Sequence, residues 1–325
     1  MSRKASPRPV NGTPTVGAPD DSTSASPTST LAPGRHAARN PYLDALRGFA
    51  IVLMIVDHVA AVWMDTAIVL GGLRFWTRPA MPLFCVVMGF CLKPDGTFNL
   101  KRWVQIAAAA AATNLLITPL YGVGDILVSL LVAAAACTTV GRWTLVLPGL
   151  ILLYRFDPTA AWLDYQLTLA IPMTALGGIA RRYGPSPTMA AAAGMLAITM
   201  TGRLIEPDDT YRYVVWFAPV AVAALFMVDA AWRSGAAADQ LEGDQRQADQ
   251  EAANPSDADR RESDPLESDS RAADRRESDL RAADQRSSRG PLLLRPLIIA
   301  GRHPLTIYVV HLYIIVGPVA FWRIA

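Results

Sequence analysis

Apolar residues in this chain gather into blocks of roughly 15 to 25, the length a helix needs to cross a hydrocarbon core of about 30 Å. Runs such as "VQIAAAAAATNLLITPL" (104–120) and "VVWFAPVAVAALFMVDAAW" (214–232) are apolar all round, without the polar face of a helix at the surface of a soluble domain. In lipid the backbone has to satisfy its own hydrogen bonds, so such blocks are read as helices. The expected fold is all-α, a polytopic integral membrane helical bundle. Nine spans are read, at about 43–64, 79–92, 103–120, 125–140, 143–155, 163–180, 187–203, 213–232 and 300–322. The second and fifth are short. Pro82, Pro148 and Pro172 fall inside spans, and 65–78 is apolar enough for an interfacial or re-entrant piece.

What lies between the blocks sets the organisation. Residues 1–40 are rich in Ser, Thr, Pro, Gly and Ala, lack an apolar run, and are read as a disordered cytoplasmic tail. Without an h-region there, the first span has to act as the targeting signal. Residues 41–233 form the transmembrane domain with spans one to eight. Residues 234–290 are read as a disordered, charged cytoplasmic insert, and 291–325 as the last helix completing the domain, with Pro291 to Arg302 as an interfacial segment before it. The insert holds 15 acidic and 9 basic side chains, a local balance of −6. The overall charge is +2, so the rest of the chain carries +8, mostly at helix ends. That pattern suits topology signals and snorkelling anchors, and a nucleic-acid partner is not expected. "DRRESD" recurs at 259–264 and 274–279, which points to local duplication, since a folded repeat needs apolar faces. Lys and Arg in the short loops favour a cytoplasmic N-terminus in a cell (inner) membrane. Cys85, Cys91 and Cys137 lie in apolar segments without ligand spacing, so no disulfide framework and no metal site are expected.

The first span carries four ionisable residues, Asp44, Arg47, Asp57 and His58, within "LDALRGFAIVLMIVDHV". Each is costly in hydrocarbon and so marks function. Arg47 and His58 are eleven residues apart and return to nearly the same azimuth, about 16 Å along the helix. Asp44 is spaced to pair with Arg47, and Asp57 points about 100° from His58. An interfacial anchor at Arg47 and a span end at "DH" would explain the same residues without chemistry. Further charges shift the balance: Arg78 and two prolines in "TRPAMPLF", Asp125 after two glycines in "YGVGDILVSLLVAAA", and Arg302, His303 and His311 in "GRHPLTIYVVHLYII". A buried neutral histidine held by one hydrogen bond is the plainer role for His311.

The Arg-x10-His spacing of Arg47 and His58 resembles the first-helix motif of the membrane acyltransferases, a group that includes the acyltransferase-3 and heparan-glucosaminide N-acetyltransferase types. "RPAMPLFCVVMGFCL", "GDILVSLLVAAA" and "TIYVVHL", in that order, look most like the TraX branch, linked to acetylation of conjugative pilin. "DALRG" is closer to the acyltransferase-3 and heparan types. The resemblance implies transfer of an acyl group, acetyl first, from acetyl-CoA as donor to a hydroxyl or amine of an envelope acceptor such as a glycan or a pilin-like protein. On that reading the partners are the lipid bilayer, acyl-CoA and the acceptor. His58 is the candidate base, with an ordinary pKa near 6.5 that suits proton transfer at neutral pH, and Asp57 is its catalytic neighbour. Arg47, Arg78 and Arg302 are candidate binders of CoA phosphates or acceptor, since guanidinium suits paired contacts to phosphate. Asp125 and His311 complete the expected binding set. A secondary transporter would also keep charges near the midplane, although the spans show no internal repeat. A non-catalytic membrane scaffold is the third reading.

Overall fold

The computed structural model describes residues 40–64, 72–92, 100–201, 212–253 and 294–318. The expected disordered tail, residues 254–290 of the insert and the last residues of the final span lie outside these. The described residues are helical, with no strand among them, so the fold is an all-α helical bundle as the hydropathy pattern requires. In chain order the helices are α1 (Pro41–Trp63), α2 (Leu73–Thr77), α3 (Ala80–Cys91), α4 (Leu100–Tyr121), α5 (Ile126–Val140), 3₁₀ segments Gly141–Phe156 and Pro158–Ala161, α6 (Leu167–Tyr183), α7 (Pro185–Met200), α8 (Arg212–Trp216), α9 (Ala218–Ala253), α10 (Arg295–Arg302) and α11 (Pro304–Ile315). Among the described residues two stretches, Pro41–Trp63 and Arg212–Gly235, are long and apolar enough by themselves to cross a membrane; α10 and α11 together pass as a bent pair.

Local chemistry accounts for the ends. Asn40 caps α1, its Oδ1 accepting from the Tyr42 and Leu43 amides at 3.0 and 3.2 Å, with Pro41 in the first turn where no intrahelical donor is needed. The segment read as a short fifth span is wound as a 3₁₀ helix of 16 residues. At a rise of about 2.0 Å per residue it reaches about 32 Å, where an α-helix of equal length would fall short.

α10 falls within the stretch Pro291 to Arg302, read from sequence as a segment before the last helix; it meets α11 at 91°, because Pro304 interrupts the backbone ladder just after His303. One expectation is corrected: the charged insert does not begin at 234 as irregular chain. α9 continues to Ala253 through "GAAADQLEGDQRQADQEAA", where Ala, Gln, Glu and Leu favour helix and Glu242 pairs with Arg246 at 3.2 Å.

Packing is closest where glycines meet backbone. α1 has its most extensive helix contact with α10. A Cβ on Gly48 would lie 1.9 Å from the Leu297 carbonyl oxygen, and one on Gly301 would lie 1.6 Å from that of Asp44. The α3–α6 crossing uses the same device, with Gly89 against Thr174 and Gly177 against Val86. Small residues of this kind bring membrane helices together where lipid gives no hydrophobic drive. Val86, Leu169, Met173 and Leu176 on α3 and α6, Leu127 on α5 and Leu225 on α9 are fully buried in the bundle.

Two loops are tied at one end of the bundle. The Gly124 amide donates to the Trp162 carbonyl at 2.7 Å, and the Asp164 amide to the Gly124 carbonyl at 2.9 Å. Asp157 fastens the second loop: one carboxylate oxygen accepts from the Thr159 amide and hydroxyl, the other from the Thr168 amide and hydroxyl, all at 2.6 to 2.8 Å. Partial burial works to raise its pKa, but these hydrogen bonds outweigh it and hold Asp157 below the usual carboxylate range. The two loops carry Asp125, Asp164 and Tyr165 to one place.

Candidate active site

That place is a cavity of about 470 Å³, walled by the far end of α1, α2, the start of α3, both tied loops and α11. Apolar side chains make up much of the wall, among them Met54, Met81, Phe84 and Leu130. Into it converge Asp57, His58, Arg74, Arg78, Asp125, Asp164, Tyr165 and Tyr308. A largely apolar pocket with a few convergent polar groups is the general form of a small-molecule site.

His58 and His311 meet here, although 253 residues separate them in the chain. His311 Nε2 lies 3.2 Å from His58 Nδ1, with ring centroids 5.2 Å apart. The other nitrogen of His311, Nδ1, lies 3.0 Å from the Ile307 carbonyl oxygen one turn back. His311 is 6% exposed, and Tyr308 packs edge-on against its ring at 5.3 Å between centroids.

Asp57, grouped with His58 by sequence, makes its contacts elsewhere. It accepts from the Thr77 hydroxyl at 2.7 Å and from Arg74 Nε at 3.3 Å, with Arg78 Nη2 at 3.8 Å. Arg78 is 8% exposed, and its Nη1 donates to the Tyr165 hydroxyl at 3.2 Å. Asp57 thus fixes two guanidinium groups at the cavity wall. Asp125 caps α5 through the Leu127 amide at 3.4 Å and accepts from the Thr113 hydroxyl at 2.7 Å and from the Tyr308 hydroxyl. It braces the α4, α5 and α11 junction.

Of the residues singled out by sequence, the structure gathers His58, Asp57, Arg78, Asp125 and His311 at one site. Arg47 and Arg302 lie elsewhere. Arg47 donates to Asp44 at 2.8 Å and to Cys91 Sγ at 2.7 Å near the start of α1, about three turns from His58. Arg302 is exposed at the bend between α10 and α11. Sequence reading missed Arg74, Thr77, Asp164, Tyr165 and Tyr308. Tyr308 stands three residues before His311 on α11, and that spacing was the available signal.

Residues 40–127 match the acyltransferase domain of the acyltransferase-3 family. The matched segment runs from the cap of α1 to the first turn of α5 and includes Arg47, Asp57, His58, Arg78 and Asp125. It supports membership of the acyltransferase-3 superfamily, and with the apolar helices it supports a membrane acyltransferase. No curated protein and no solved structure matches the chain.

Proposed function

We propose that the protein transfers an acetyl group from acetyl-CoA to a hydroxyl or amine of an envelope acceptor, with His58 as general base at the cavity. The observation that carries this reading is the meeting of His58 with His311 at the wall of a cavity that also presents fixed arginines and carboxylates. A hydroxyl or amine bound there would lose its proton to His58 as its oxygen or nitrogen attacks the thioester carbonyl. The C–S bond breaks, and the departing CoA thiolate takes up the proton from the imidazolium, so the base is regenerated. A covalent acyl-histidine route would use the same side chain as nucleophile.

Arg47 and Arg302 are assigned to the donor's phosphates at the opposite end of α1. The separation of about 16 Å between Arg47 and His58 is of the order that a phosphopantetheine arm bridges. Arg78 and Arg74 are assigned to the acceptor or to the developing charge of the tetrahedral intermediate. The donor end is taken as cytoplasmic and the cavity as facing outward, in an inner membrane with the N-terminus inside, from the Lys and Arg balance of the loops. A pilin-like acceptor rests on the TraX resemblance, whereas the match over residues 40–127 is to acyltransferase-3 in general.

The test is transfer or hydrolysis of labelled acetyl-CoA by purified protein in detergent, wild type beside His58→Ala with matched folding. Turnover lost in the variant supports the assignment. A wild-type protein that neither binds nor turns over acetyl-CoA would sink it and leave the transporter and scaffold readings.

A further inference from the structure

We propose that His311 is a positioning residue that fixes the tautomer of His58, so that Nε2 of His58 is the nitrogen that takes the acceptor's proton. The inference rests on the acyltransferase reading for its consequence in turnover, and on hydrogen-bond geometry for the tautomer itself.

The argument runs along three atoms. The Ile307 carbonyl oxygen only accepts, so the nitrogen 3.0 Å from it, His311 Nδ1, carries a hydrogen. In a neutral ring the other nitrogen, Nε2, then presents a lone pair. That lone pair faces His58 Nδ1 at 3.2 Å, and two lone pairs do not face each other at that distance, so with both rings neutral His58 Nδ1 carries the proton and donates it. His58 Nε2 is left with a lone pair, and His58 lines the cavity. A backbone carbonyl one turn back on α11 is thereby read, through two rings, as the position of the basic nitrogen on α1.

Surrounding contacts hold the relay in place. The Tyr308 ring packs against His311 while its hydroxyl is held by Asp125. Tyr313, two residues after His311, donates to the Ala112 carbonyl on α4 at 2.8 Å. α11 is thus pinned on both sides of His311, and the Nε2-to-Nδ1 alignment needs little reorganisation when the base acts. His311 itself has no need to touch acceptor or donor. This differs from a buried histidine that merely satisfies its own hydrogen bonds, because its removal changes which nitrogen of another residue is protonated.

The experiment is ¹⁵N NMR of histidine-labelled full-length protein in detergent micelles, with the four histidines assigned by single substitution, alongside acetyl-CoA turnover. In the wild type His58 is expected as the Nδ1–H tautomer. In His311→Leu it should move to Nε2–H or to a mixture, with kcat down about 100-fold or more and KM for acetyl-CoA nearly unchanged. His311→Gln places a side-chain carbonyl oxygen near the former Nε2, and should restore the tautomer and most of kcat. A wild-type His58 in the Nε2–H form overturns the proposal. So does a tautomer unchanged in His311→Leu, or a changed tautomer with unchanged kcat. A His311→Leu protein that fails to fold leaves the wild-type tautomer and the glutamine variant to decide. The NMR readout needs no turnover, so failure of the acyltransferase reading and failure of this one are told apart.

Discussion

Around Arg47, α1 is packed so closely against α10 that backbone meets backbone at Gly48 and Gly301, whereas eleven residues further on the same helix lines a cavity of about 470 Å³. Both ends carry charge within an apolar span, but they handle it differently. At the closed end the charge is local: Asp44, only 1% exposed, holds Arg47 from three residues away, and the wall is built from small residues. At the open end it is distributed: Asp57, Arg74 and Tyr308 come from three helices and Arg78 and Asp125 from the turns beside two others, each held by another. A motif read along one helix therefore contains a rigid half and a chemical half. The acyl donor and acceptor are assigned to these halves accordingly.

The sharpest way to break this comparison is to exchange chemistry between the ends. His58→Ala should lower kcat by about 10² to 10⁴ without loss of folding, because it removes a base at a cavity wall. Arg47→Ala should instead raise KM for acetyl-CoA more than it lowers kcat, the mark of lost binding common to ground and transition states. Steady-state kinetics on both variants separates the two. A kcat effect of the same size at both positions would contradict the division of labour.

Steric load should divide the ends the opposite way. Gly48→Ala or Gly301→Ala drives a methyl group into backbone atoms and should destabilise by about 1–3 kcal/mol or more, read as a fall in midpoint by thermal unfolding in detergent. Ala61→Val, on the cavity wall, should leave that midpoint nearly unchanged and act on acceptor affinity. Tyr308→Phe takes a donor from buried Asp125 and should lower stability by roughly 1–3 kcal/mol, with the same assay as the check.

The smallest expected effect lies in the loop that Asp157 fastens. Its folded pKa is lowered, so its contribution is present above the ordinary carboxylate value of about 3.9 and is lost as pH falls through the lowered folded value. Wild type should exceed Asp157→Asn in stability at pH 6 by roughly 1 kcal/mol, a modest figure because solvent screens this partly exposed group. The gap between the two unfolding midpoints should be full at pH 6 and shrink as pH falls toward 3.

The helices were legible because burial in lipid writes hydropathy along the chain. α1, α3, α4, α5 and α7 begin and end within a few residues of the expected spans. His58, Arg78, Asp125 and His311 were legible for the complementary reason: a costly residue in an apolar run stands out. Arg74 and Thr77 were not, because the apolar stretch 65–78 reads as an interfacial piece until Asp57 is seen to reach it. Tyr308 reads as one more membrane aromatic, and only its partner Asp125, 183 residues away, gives its hydroxyl a role. The helix through 234–253 was hidden by the charge that dominates the insert, although its Ala, Gln and Glu content favours helix. A segment from Pro291 to Arg302 ahead of the last helix is read from the sequence, but the angle of 91° depends on how α10 lies against α1.

The pairing of Gly124 with Trp162 and Asp164 has a consequence for counting. Two loops that share backbone hydrogen bonds end on the same side of any barrier the helices cross, so the chain between them makes an even number of passages. α5 goes one way, and the tightly wound segment Gly141–Phe156 brings the chain back. A count based on α-helical length would discard that segment as too short, and every later loop would change sides on paper. The parity of the passages between Gly124 and Asp164 is thus checked by two hydrogen bonds.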